Sequence, residues 1–228
     1  MSVSADDILA ITGLTLRVGL LSTALIAVPG VALGWLLARR RFRGRALVQT
    51  AVALPMVLPP VAVGLLLLLL LSRRSAFGRA LEALCGGPVL LTWRAAALAS
   101  AIMSFPLLVR GAEQAFLGVP RRLEQVARTL GASRLTVFRR VTWPLAARGI
   151  LYGLVFAFAR GLGEFGATTI VAGNIPGRTE TLALGVYARI EAFRDGDALV
   201  LAGVSVLLAF GITWAAEAWL RRAAVLPR

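Results

Sequence analysis

Arg160 and Glu164 stand four residues apart inside an otherwise apolar stretch, Gly149 to Ala172, and are the residues best placed to do chemistry. A lone charge at a bilayer centre costs roughly 2.5–3.5 kcal/mol on insertion scales, and spacing of i, i+4 lets two opposite charges partly neutralise each other. The pair could be a structural ion pair or part of a polar path. A proton relay has no second carboxylate in the stretch to receive its proton. Thr168, Thr169 and Asn174 follow within the next turns, and Ser104 lies two residues before Pro106 in another apolar run. Neutral hydroxyl and amide donors suit an anion that must be held weakly at several points and then released. Equally, a hydroxyl in an apolar helix bonds back to a carbonyl one turn earlier. The same stretch spells G-x-G-x-x-G at Gly161, Gly163 and Gly166. No strand precedes it and Glu164 would repel a phosphate, so the glycines read as close helix packing rather than a nucleotide loop.

Much chemistry is excluded. The chain has no His and one cysteine, Cys85, so imidazole catalysis, an internal disulfide and the usual metal clusters are not expected. All 25 basic residues are Arg. Without a lysine there is no Walker A site, and no catalytic residue, cofactor or metal is expected within the chain. The net charge of +14 could suggest nucleic acid, but the Arg residues fall in short segments between apolar runs. That arrangement points to membrane lipid and not to nucleic acid.

The elements that must position these residues are membrane helices. Of 228 residues, 58% are hydrophobic and the mean hydropathy is +0.81, more apolar surface than a water-soluble core would bury. A spanning helix needs about 20 apolar residues. Five stretches qualify, at 16–38, 46–71, 90–109, 149–172 and 198–220, predicting a polytopic all-α protein of one domain over 1–228. Residues 8–16 are too short to span alone. The first residues lack the positive region of a signal peptide, so the first run is expected to stay in the membrane. The segments 39–45 and 110–148 and the tail from 217 hold 16 Arg against three acids, and the opposite side holds eight Arg against seven. By the positive-inside rule the first set is cytoplasmic, with the N-terminus outside and the C-terminus inside.

The 110–148 segment is too structured to be a plain connector. Leu123, Val126, Ala127 and Leu130 make one apolar helical face, Gly131 fits a C-cap, and Ser133 fits the N-cap of a second helix that Pro144 should end. Two short amphipathic helices at a bend either lie on anionic lipid or dock a partner.

Here the residues carry a resemblance. Glu124-Gln-Val-Ala-Arg-Thr-Leu-Gly131, followed after nine residues by Val141-Thr-Trp-Pro144, resembles the coupling loop of ABC-importer permeases. Gln125 occupies that loop's Glu position and Val126 its first Ala, while Glu124 sits one residue early. The resemblance implies that Glu124, Gln125, Ala127, Gly131 and Pro144, within the loop 121–143, meet an ATPase subunit. The stretch Ala157 to Thr169, then Gly173-Asn-Ile-Pro-Gly177, Leu54-Pro-Met-Val-Leu-Pro-Pro-Val61 and Ser104-Phe-Pro-Leu107 are similar to the oxyanion branch of that family, and to its molybdate members in particular. The chain's shortness favours molybdate over sulfate.

The resemblance further implies a homodimer in the bacterial cytoplasmic (inner) membrane. Two cytoplasmic ATPase subunits carry the ATP-Mg, and an extracytoplasmic binding protein delivers molybdate. Ser104, Arg160, Glu164, Thr168, Thr169 and Asn174 would line the path. The alternatives are a sulfate or tungstate permease of the same branch, or a self-sufficient secondary anion transporter, which would usually show inverted repeats.

Overall fold

The computed structural model describes residues 3–225, with side chains through residue 219. The first helix, α1 (Ala5–Arg39), opens with a capping box in which Ser4 and Asp7 satisfy each other's backbone N–H groups. It runs unbroken to Arg39, so the first span begins well before residue 16. The cap and 35 residues of continuous helix carry the short 8–16 segment along.

The second expected span is broken. It divides into α2 (Arg45–Val57) and α3 (Pro60–Leu71), bent by 109°. Leu58 precedes Pro59, which precedes Pro60, and a residue before proline is driven out of helical geometry. Both Leu58 and Pro59 are accordingly extended. A short α4 (Ala76–Cys85) comes next.

The third span, α5 (Trp93–Leu117), is capped by Thr92 and continues eight residues past the expected end. Arg110 and Glu113 are therefore helical, not part of a loop. Glu113 is buried yet well satisfied: Arg45, Gln49 and Arg110 donate to its carboxylate at 3.1, 2.9 and 3.0 Å. α5 is the central helix and packs chiefly on α1. A Cβ at Gly34 of α1 would stand 2.6 Å from that of Ala112 and 2.9 Å from the Val109 carbonyl oxygen, so only glycine permits this approach.

Beyond Pro120 come α6 (Arg121–Thr129) and α7 (Arg134–Val137), then a π turn at Phe138–Thr142 that leads without a break into α8 (Trp143–Leu162). Pro144 does not end the second loop helix; it sits in the first turn of α8. Proline cannot donate to the carbonyl one turn back and would crowd it. The π turn, where the Trp143 N–H reaches the Phe138 carbonyl, shifts the register just before the proline.

The fourth expected span is also interrupted. After Leu162 the chain leaves helical geometry at Gly163, Glu164 and Phe165, then resumes as α9 (Gly166–Ala172), which packs on α3. Two more helices follow among the described residues, α10 (Leu182–Glu191) and α11 (Asp195–Val225). Among the described residues α1, α5, the continuous helix 134–162 and α11 are long and apolar enough to cross a membrane, and the bent α2–α3 pair makes a fifth. The basic C-terminal residues Arg221, Arg222 and Arg228 lie outside the described side chains.

Candidate functional site

Two regions carry the polar residues picked out by sequence. They lie at opposite ends of α8.

The first is the loop helix α6. Glu124 points inward, not outward. Its Oε1 accepts from the Thr142 hydroxyl at 2.6 Å and pairs with the Arg39 guanidinium at 3.1 Å, while Arg39 also donates to the Val119 carbonyl at 3.2 Å. One carboxylate thus ties α6 to the end of α1 and to the π turn. Gln125, its neighbour, is exposed. So are Leu123, Val126 and Leu130, the last at 82%, and Ala127 is half-buried. No residue of α6 is buried, and its apolar stripe forms an open groove with Val141, Pro144 and Leu145, left largely uncovered among the described residues. Such a stripe is what a docking helix presents.

The bend after α6 is a Schellman motif. The Ala132 N–H reaches the Ala127 carbonyl at 3.1 Å and the Gly131 N–H reaches that of Arg128 at 3.0 Å. Gly131 closes it with φ +83°. Ser133 caps α7, its hydroxyl accepting from the Thr136 N–H at 3.2 Å.

The second region is the break between α8 and α9. Arg160 and Glu164 are paired, Nη1 to Oε2, at 2.8 Å. Glu164 does more: its Oε1 accepts the Ala167 N–H at 3.0 Å, capping the N-terminus of α9. Its side chain is 1% exposed against 36% for Arg160, so the carboxylate belongs to the scaffold and the guanidinium reaches outward from it. A carboxylate suits that position because a helix N-terminus carries partial positive charge. Phe165 stacks on Tyr187 of α10, with ring centroids 4.7 Å apart, which pins the break from the other side.

The remaining candidates separate. Ser104 and Thr168 are fully buried, and neither hydroxyl has a hydrogen-bond partner. Ser104 faces the helix crossing at Gly161, where an added Cβ would sit 3.3 Å from its Oγ and 3.2 Å from that of Ser22. Thr169 bonds back to the Phe165 carbonyl at 2.7 Å, the self-satisfying arrangement. Asn174 is exposed and lines a cavity with Asp7, Glu180, Arg189 and Arg194. The G-x-G-x-x-G glycines divide in the same way. Gly161 and Gly166 abut neighbouring helices, with Gly166 against Pro60, while Gly163 lies at the break.

Sequence reasoning missed two features. Thr179 folds the outlying loop, accepting from the Ile175 N–H at 2.8 Å and donating to the Gly173 carbonyl at 3.0 Å. Arg17 lies over the Trp93 ring at 4.0 Å and, with Arg94 and Arg178, lines a basic cavity of about 380 Å³. Arg17 and Arg39 are 22 residues apart on α1, about 33 Å of helix. That is the thickness of a hydrocarbon core, so this cavity and the α6 loop lie about one membrane's thickness apart along α1.

Comparison with known proteins gives one family. Residues 30–223 match the family of binding-protein-dependent transport system inner membrane components. The molybdenum transport system permease protein ModB of Escherichia coli (strain K12) is 44% identical over 210 residues, covering 92% of this chain and 91% of its own. The sulfate transport system permease protein CysT of Salmonella typhimurium (strain LT2) is 35% identical, covering 92% of this chain and 77% of its own. Among solved structures, a bacterial ABC transporter that imports the acidic polysaccharide alginate superposes with a TM-score of 0.76 at 19% identity, covering 98% of this chain and 82% of that one.

Proposed function

Since the chain belongs to the family of binding-protein-dependent transport system inner membrane components, we propose that it is the transmembrane subunit of an ATP-driven molybdate importer. The observation that carries the cargo is 44% identity to a molybdenum permease along nine-tenths of both chains. The related sulfate permease is less similar and longer. Sulfate and molybdate are both tetrahedral dianions, so sulfate is the natural second reading.

Two copies of the chain form the path. Two ATPase subunits, holding ATP and Mg²⁺, dock on the loops, and a binding protein delivers the anion to the opposite face. The Arg-rich loop side is cytoplasmic, with the N-terminus outside and the C-terminus inside. The exposed apolar stripe of α6 seats in the ATPase, with Gln125 as its exposed polar contact.

Movement of the ATPases travels along one element. Glu124 fastens α6 to the π turn, and the helix from Arg134 to Leu162 then runs about 43 Å without interruption to the break at Gly163. A push at the loop therefore arrives at the Arg160–Glu164 pair. There the helical ladder is already interrupted, and Glu164 and Phe165 carry the movement on to α9 and α10. Arg160, half-exposed beside its capping partner, offers positive charge that Glu164 offsets, so an anion is attracted without being trapped. The basic Arg17–Arg94–Arg178 cavity suits reception of the dianion.

Reconstitution with the cognate ATPase and binding protein tests this. ATP hydrolysis and uptake should rise with molybdate-loaded binding protein and stay low with sulfate. Stimulation by sulfate alone would make the chain a sulfate permease. Uptake in vesicles without ATPase would remove it from the ATP-driven class.

A further inference from the structure

We infer that an anionic phospholipid occupies a composite site between α1, α8 and the loop, with its phosphate among arginines and its acyl chain in an apolar groove. Two cavities adjoin there, and Trp35 and Phe138 line both. The first, about 470 Å³, is lined by Arg39, Arg40, Arg121, Arg128 and Arg134 against a single acid, Glu124. Glu124 is already paired with Arg39. Among the described residues none of the other four guanidinium groups has an ion-pair partner. Arg39 itself has a buried Nε with no hydrogen-bond partner, although its side chain is only 10% exposed.

The second cavity, about 680 Å³, is lined almost wholly by apolar side chains, among them Val28, Val31, Ile150, Leu151 and Leu154. It extends from Trp35 to Ala27 on α1 and from Trp143 to Leu154 on α8, about 12 and 16 Å along the two axes. That is the depth of one leaflet's hydrocarbon, about 15 Å. At the join stand Trp35 and Phe138, edge to face at 6.1 Å, with Trp143 a further 6.1 Å from Phe138. Aromatic rings collect at the level of lipid headgroups.

Charge selects the occupant. A transmembrane helix of a second copy could cover the apolar groove but would bring mostly further positive charge to its basic end, because that side of the chain holds 16 Arg against three acids. An anionic lipid satisfies both halves at once: phosphate oxygens accept from several guanidinium groups, and the acyl chain fills the groove. The site requires only that the chain spans a membrane, so it stands whichever oxyanion is carried.

The full chain, purified and delipidated, should be titrated with phosphatidylglycerol and with phosphatidylcholine, and retained lipid read by native mass spectrometry. Wild type should prefer phosphatidylglycerol. Replacing the three loop arginines together (R121Q, R128Q, R134Q) should lower that preference on the order of a hundredfold. A32W, which fills the groove and leaves every arginine in place, should reduce retention of both lipids. R41Q, R43Q and R122Q together remove as many charges from outside the cavity and should change nothing. An equal loss in that control would mean diffuse surface attraction and would overturn the site. Unchanged lipid retention in the triple variant, with weaker ATPase binding instead, would make the arginines an ATPase contact and overturn it as well.

Discussion

Gly131→Val tests whether the α6 bend transmits coupling, and the structure fixes what it should cost. Gly131 holds φ at +83°, and a Cβ built there meets nothing within 4 Å. No steric clash within the chain therefore contributes, and the whole penalty is conformational. A residue with a Cβ pays about 1–2 kcal/mol in the left-handed region, and β-branching adds to it. The alternative is to abandon the two Schellman hydrogen bonds, at about 1 kcal/mol each. Either way about 1–2 kcal/mol is set against the docked geometry, or roughly 5–30-fold in ATPase affinity. The spans bury elsewhere, so membrane level should stay near normal. The assay is ATPase association and substrate-stimulated hydrolysis for Gly131→Asn, Ala and Val. Asn, which tolerates this region, should be nearly silent, Ala intermediate and Val worst. Normal coupling by Val would mean that the bend is not part of the docking element. Equal loss by all three would mean that the partner packs directly on Gly131, and the strain argument would fail.

The geometry sets three further outcomes. Glu164→Ala should harm assembly more than Arg160→Ala, by about 1–3 kcal/mol, because it also uncaps α9 and strands the Ala167 N–H; comparable melting temperatures for the two variants in detergent would contradict this. Glu124→Ala should loosen the loop and raise its proteolytic sensitivity, whereas Gln125→Ala should leave the loop intact and weaken only ATPase binding, each read on purified protein. With Cys85 replaced, cysteines at Arg43 and Ala132 should be shielded from an impermeant outside thiol reagent while one at Gly177 is labelled; labelling of the first two from outside would reverse the orientation.

What could be read from sequence was what local spacing determines. Apolar runs located the spans, Gly131 and Ser133 marked the bend, and the i, i+4 spacing of Arg160 and Glu164 anticipated their ion pair. Helix ends fared worse wherever the deciding partner was distant in sequence. α5 runs past Arg110 because Glu113, a poor residue to bury alone, finds Arg45 and Gln49 more than 60 positions away. Nothing near residue 113 announces them. The prolines misled in both directions. The apolar length from 46 to 71 outweighed the Pro59–Pro60 pair, which in fact breaks the span by 109°. Pro144 looked like a terminator yet opens a helix, because a π turn upstream absorbs the missing hydrogen bond.

The same contrast decides what Glu124 and Gln125 can do. By spacing alone either could supply the polar contact of the loop, since they are adjacent and both polar. Arg39, 85 residues earlier, breaks the tie by drawing Glu124 inward, and Thr142 completes the hold. A carboxylate so engaged is poorly placed to leave for a partner, because α6 would lose its attachment to both α1 and the π turn at once. In the proposed coupling, Glu124 therefore acts within the chain, as the joint through which force on α6 would enter the long helix, and the outward contact would fall to Gln125 and the apolar stripe beside it. A loop with a neutral amide at its exposed position can still couple, provided that the joint beneath it is rigid.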